Sequence, residues 1–256
     1  MHEFNGRPEL SWQDPEFAAV AEHFKTFHGF DGVILNQIQS NNANFTGKQI
    51  RKIANVYFVT RGIKKRPDKC CRDVHAQWIA SELSNLGVTS EEELLNKFRK
   101  CQDIAERASR SDTGDKEDIH TNGFQISAMT KFMWFKQPLN WTPFDDTAAS
   151  GLGINKKPPR KRSVDFYNKL RDIKFTNHVE KIRNELTQTP HEHLFAERII
   201  DKFLMLKCVE ENQGDVLFGD TYEFVQLLPN DCRSKLEKTA KRIAPCLKRF
   251  ENQAAG

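Results

Sequence analysis

Residues 124–135 read Phe-Gln-Ile-Ser-Ala-Met-Thr-Lys-Phe-Met-Trp-Phe. Wound as a helix, this run is apolar on nearly every side, and such helices are buried. It therefore marks an interior. One residue breaks it: Lys131, a cation in the middle of the most apolar segment of the chain.

The rest of the sequence carries helical spacing almost throughout. Asp14 and Pro15 form an N-cap and N1 pair ahead of Phe17, Val20 and Phe24. Residues 48–59 place Ile50, Ile53, Ala54, Tyr57 and Phe58 on one face. Residues 72–86 do the same with Val74, Trp78, Ile79 and Leu83 before Gly87. Thr89 to Glu92 has the form of a capping box, and Leu94, Leu95, Phe98 and Cys101 continue its stripe.

Residues 108–121 turn polar, as an exposed loop would, and Asn122-Gly123 marks a tight turn. Thr142-Pro143 opens a helix that Gly151 and Gly153 end. Residues 163–186 read as one long amphipathic helix, followed by helices over 191–206, 221–228 and 232–250. Sustained alternation of apolar and polar residues is missing, as are internal repeats and a glycine-rich phosphate loop. The expected fold is all-α, one compact unit with a cleft between two helical halves and a possible joint at 109–121.

The chain has 256 residues, of which 29% are charged. No apolar stretch approaches the roughly 18 residues of a membrane span, and the N-terminus lacks the apolar core of a secretory signal. These features lead to an expected cytoplasmic location. The six cysteines form no C-x-x-C pair, so neither structural zinc nor an iron–sulfur cluster is expected. His191-x-His193 has metal-like spacing but no matching ligands nearby, and reads as surface polarity. No metal and no cofactor are expected.

Net charge is only +4, but it is clustered. Residues 61–66 form one basic run and residues 156–162 another. Such clusters suit a phosphate backbone, and equally suit a solvated surface. Arg61, Lys64, Lys65, Lys157, Arg160 and Arg162 are the candidate phosphate contacts, with backbone donors at a helix start near Asn122.

The chemistry centres on Lys131 and on Trp141-Thr142-Pro143-Phe144-Asp145-Asp146. Lys131 either extends to the surface or lines a pocket, where a desolvated amine becomes a usable nucleophile. Asp145, at N3 of a helix capped by Thr142, either complements the helix dipole or serves as a carboxylate beside that amine. Asp146 is the fallback carboxylate. Trp134, Trp141 and Phe144 either pack in the core or stack on a ligand.

A (Ser/Thr)-Lys helix, a loop, then apolar-Pro-apolar-Asp opening a second helix resembles the core of the helix-hairpin-helix DNA glycosylase superfamily. Thr130-Lys131-Phe132 and Trp141-Thr142-Pro143-Phe144-Asp145 carry the likeness. More narrowly, the chain resembles bacterial proteins with an 8-oxoguanine-glycosylase-like fold, among them the Brig type of phage-defence glycosylases. Glu197-Arg198-Ile199-Ile200-Asp201 is similar to the closing helix of that group. The Leu-Pro-Gly-Val-Gly hairpin of the family is not present before Lys131, and the Lys-to-Asp spacing is shorter than in the best-known members. The resemblance implies a monomer that binds double-stranded DNA and flips a modified base out of the stack. That base would be, for example, a glucosylated hydroxymethylcytosine of phage DNA. Asp145 would stabilise positive charge at the sugar C1′, with water or Lys131 as the nucleophile. Trp134, Trp141 and Phe144 would form the base pocket.

Overall fold

A computed structural model describes residues 14–60, 63, 73–109, 124–209 and 214–255. Among these the fold is all-helical, with no strand. The order is α1 (Pro15–Thr26), a π-helical turn (Phe27–Asp31), α2 (Gly32–Gln39), α3 (Gly47–Val56), α4 (Val74–Asn85) and α5 (Leu94–Ser109). Then come α6 (Ile126–Lys136), α7 (Asp146–Gly151), α8 (Pro159–Asp172), α9 (Phe175–Leu186), α10 (Ala196–Val209), α11 (Gly214–Leu227) and α12 (Asn230–Ala255).

Helix α6 is the apolar run anticipated above. It buries every residue from Ile126 to Phe135 except Ser127. It packs against α2, α3, α4, α5 and α8. A second group forms around α10, which lies on α1 and α7, while α12 lies on α1 and α9. One contiguous buried apolar cluster joins both groups, from Phe17 to Phe250. The possible joint at 109–121 lies, past Ser109, outside the described residues.

Close approach of α7 to α10 depends on one glycine. A Cβ on Gly151 would sit 1.8 Å from the Leu204 carbonyl oxygen. Gly153 then ends α7 with φ +75°, donating to Ser150 O while Ile154 donates to Ala149 O. That pair of bonds is a Schellman closure. α3 ends with the same bonding, Val59 to Ala54 O and Phe58 to Asn55 O, but the left-handed position is occupied by Phe58 at φ 53°. A bulky aromatic there costs roughly 1 kcal/mol relative to glycine.

Several local expectations need correction. The 163–186 helix is two helices, broken at Ile173 and Lys174, where Lys174 takes φ 52°. The basic run at 156–162 enters α8, which starts at Pro159. Thr89 to Glu92 forms a turn rather than a cap, because α5 begins at Leu94. A capping box does form at Thr46 and Gln49, ahead of α3. The helix expected from 191 begins at Ala196. His191 is buried in the preceding turn against Phe24, so it is not surface polarity.

Candidate active site

A cavity of about 1640 Å³ opens among the π-helical turn, the end of α3, the start of α6, the start of α7, and α10. It holds the residues that the sequence singled out. Lys131 projects from α6, and its Nζ lies 2.9 Å from Asp145 Oδ2. Both line the cavity.

Local chemistry fixes this register. Thr130 Oγ1 accepts from the Phe144 N–H at 3.0 Å, and Ser127 Oγ donates to Phe144 O at 3.1 Å. The Tyr167 hydroxyl donates to Thr142 O at 2.8 Å. The segment before α7 is therefore clasped to one face of α6, one residue ahead of Asp145. Asp145 is the N-cap of α7, not its N3 residue, with extended backbone and Oδ1 accepting from Thr147 N–H at 2.9 Å. Its two oxygens divide the two readings. One caps the helix; the other meets the amine. Burial pushes the Asp145 carboxyl up, but the Lys131 ammonium and the Thr147 N–H outweigh it and hold the carboxyl below its ordinary range.

Beyond this pair lies a polar floor that sequence reasoning did not assemble. The Tyr57 ring lies 6.0 Å from Lys131 Nζ and 5.5 Å from the Arg198 guanidinium. Tyr57 donates to Asp31 Oδ1 at 2.6 Å and accepts from Arg198 at 3.0 Å. Arg198 also pairs with Asp201 one turn along α10. Asp31 is only 1% exposed, and burial pushes its carboxyl up against the pull of Arg198 and Tyr57. Among the carboxyls that line the cavity, Asp145 and Glu22 are driven down while Asp31 and Asp201 are driven up, a separation typical of sites that manage protons. Arg198 and Asp201 had one signal, their place in the 197–201 segment that is similar to a closing helix; charge did not mark them, because α10 also carries Glu197, Lys202 and Lys207. Asp31 had none, because the π-helical turn that places it is not marked in the sequence.

The other candidates separate cleanly. Phe144 lines the cavity with its edge against Phe166. Trp134 and Trp141 do not line it. Trp141 is fully buried and stacks on Tyr167, and Trp134 packs behind Arg198 at 5.1 Å. Neither offers a free face to a base; both hold the site from behind. Asp146 is exposed and pairs with Arg162.

Arg162 is buried, bonding Asp146, Ser150 and Ile154 O, so its guanidinium is committed to the fold rather than to phosphate. Arg160 pairs with Glu106 and lies over Phe124; Lys157 pairs with Asp165. Both remain at the surface. Arg61, Lys64, Lys65 and Asn122 lie outside the described residues, as do Cys70 and Cys71. Cys101 is buried, and burial pushes its thiol up, as befits a structural residue.

Among the described residues, five Lys or Arg line the cavity against five Asp or Glu. Among the described residues no group of three or more His, Cys, Asp or Glu is arranged to hold a metal ion. No helix among them is long and apolar enough to cross a membrane. Comparison with protein-family profiles, with curated proteins and with solved structures gave no match to this chain.

Proposed function

We propose that this chain is a DNA N-glycosylase of the helix-hairpin-helix type that excises a modified base and leaves an abasic site. The observation that carries this reading is the Lys131–Asp145 pair, 2.9 Å apart at the wall of a cavity large enough for an extruded nucleotide. The proposed partner is double-stranded DNA, bound by a monomer in the bacterial cytoplasm. The proposed substrate is a phage-type base such as glucosylated hydroxymethylcytosine, which makes the activity antiviral.

The chemistry follows from the charges. Breaking the bond between C1′ and the base nitrogen sends the electron pair to the departing base and leaves positive charge on the sugar. An ionised Asp145 beside C1′ stabilises that charge in a partly desolvated site, where electrostatic effects are large. A water attacking C1′ yields the abasic sugar and releases a proton. Alternatively Lys131, once its ammonium has given a proton to the departing base, attacks C1′; the adduct loses a second proton as the C1′–O4′ bond opens to the Schiff base, and elimination of the 3′ phosphate then cleaves the strand. Phe58 adds support: it stands 88% exposed at the cavity rim, in a strained backbone conformation, where an aromatic side chain can fill the gap left by a flipped nucleotide.

The test uses the purified protein with Asp145→Asn and Lys131→Ala. Each is incubated with DNA carrying ordinary, oxidised or glucosylated hydroxymethyl bases, and abasic sites are counted with an aldehyde-reactive probe. Sites that appear on one DNA and vanish with Asp145→Asn support the reading and name the substrate. A borohydride-trapped adduct that vanishes with Lys131→Ala adds the lyase step. Tight, salt-dependent binding with no abasic sites on any DNA would instead make the chain a non-catalytic nucleic-acid-binding module.

A further inference from the structure

Two buried acceptor atoms at the cavity floor have no hydrogen-bond partner among the described residues: Asp31 Oδ2 and Asp201 Oδ1. Both residues line the same cavity, and both spend their other oxygen inside the protein, on Tyr57 and Arg198 respectively. An orphaned buried acceptor is costly, and native folds retain few of them. Two in one cavity indicate that something else donates to them.

The layout says what that is, given the glycosylase reading, on which this inference rests. The sugar C1′ must meet Lys131 and Asp145. The base must extend away from that point. Tyr57 links the two places: the Lys131 amine lies over its ring, 6.0 Å from the centre, and its hydroxyl donates to the Asp31 carboxyl. A flipped base lying along Tyr57 brings its far edge to Asp31. Tyr57 donates to one oxygen of Asp31, which leaves the other as an acceptor for an arriving group that donates. Ligand pockets commonly hold roughly 300–1,000 Å³. This cavity exceeds that, so a substituent on the base has room.

We propose that Asp31, oriented by Tyr57 and flanked by Asp201, is the specificity residue of this site, selecting bases whose outer edge or substituent carries a hydrogen-bond donor. Two sources of that donor are chemically equivalent here, an exocyclic amine and a hydroxyl.

Four duplexes differing at one pyrimidine separate them: thymine, 5-methylcytosine, 5-hydroxymethyluracil and 5-hydroxymethylcytosine. A fifth carries glucosylated hydroxymethylcytosine. Excision kcat/KM is measured for the wild type, Asp31→Asn and Tyr57→Phe. The wild type is expected to favour donor-bearing bases over their donor-poor counterparts by about tenfold to a hundredfold, the range of a hydrogen bond to a charged group. Preference across the amine pair or across the hydroxyl pair identifies the source.

Asp31→Asn is expected to collapse that preference ratio to within about threefold, and Tyr57→Phe to weaken it by less. A folded Asp31→Asn protein with an unchanged preference ratio overturns the proposal and leaves the glycosylase reading standing. If Asp31→Asn does not fold, an unchanged ratio in Tyr57→Phe overturns it equally. A wild type that excises none of the five bases but leaves abasic sites on oxidised DNA removes this proposal alone; one that leaves none on any DNA removes it together with its parent reading.

Discussion

Asp145 and Asp146 are neighbours of the same type, and each pairs with a cation, yet they build opposite structures. In the Asp145–Lys131 pair both side chains are largely covered, 22% and 9% exposed, and both face the cavity. In the Asp146–Arg162 pair the carboxylate is 66% exposed and the arginine 6%. The first pair belongs to the cavity; the second pins α8 to α7. The difference arises from one step of backbone. Asp145 is the extended N-cap residue, whose side chain turns back toward α6. Asp146 is already helical, and its carboxylate, though also at the cavity wall, reaches across to Arg162. One residue of register separates a candidate catalytic carboxylate from a fastening.

The contrast can be broken most forcefully through catalysis. Asp145→Asn retains a capping side chain but loses the charge. Its abasic-site formation should fall on the order of 10²–10³-fold. Asp146→Asn should remain within about threefold, because an exposed ion pair contributes little. Parallel time courses on one duplex decide this, and equal losses would end the distinction between the pair.

Packing gives the next effect. Gly151→Ala drives a Cβ into the Leu204 backbone and must shift the helix that carries both aspartates. Urea unfolding should show a loss of about 3 kcal/mol or more, in the range of severe overpacking. A loss below about 1 kcal/mol would mean that α7 and α10 are less tightly docked than described.

The two cations sharpen the comparison further. Arg162→Met leaves Ser150 Oγ and Ile154 O without their donor and should cost about 1–3 kcal/mol, with excision by the folded fraction intact. Lys131→Met should remove the trapped adduct and should also return the Asp145 carboxyl toward its ordinary range.

Acid titration reads the same pair. The folded Asp145 pKa is depressed, so its contribution is present above the unfolded value near 3.8 and is lost as pH falls through the folded value. The stability gap between wild type and Asp145→Asn should therefore shrink only below about pH 4. A gap constant down to pH 2 would contradict the pairing.

The smallest effect is at the rim. Phe58→Gly relieves the left-handed strain and should raise stability by up to about 1 kcal/mol while weakening excision. A stable variant with full activity would exclude Phe58 from DNA contact.

The elements differed in how well they could be read. Lys131 was visible because a cation in an apolar helix violates its surroundings, whereas Arg198 and Asp201 share α10 with Glu197, Lys202 and Lys207 and do not stand out by charge. Asp31 was invisible, since its position depends on the π-helical turn of Phe27–Asp31. The break at Lys174 was hidden because a lysine takes the left-handed conformation that usually announces itself as glycine. Trp141 misled for a related reason. A loop residue was expected to be free to stack on a ligand, whereas that loop is clamped to α6 by Thr130 and to α8 by Tyr167 and carries its indole into the core.

The sequence by itself determined the all-helical class and the burial of α6, and it narrowed the pairing to Lys131 with Asp145 or Asp146. Periodicity and capping are local, and they act within a few residues along the chain. Only the tertiary structure decided which oxygen of Asp145 faces the amine, that Arg162 is spent inside the fold, and that Asp31, Tyr57, Arg198 and Asp201 share one cavity floor. Those facts depend on residues up to 170 positions apart being packed together, and no local pattern records which distant helices will meet.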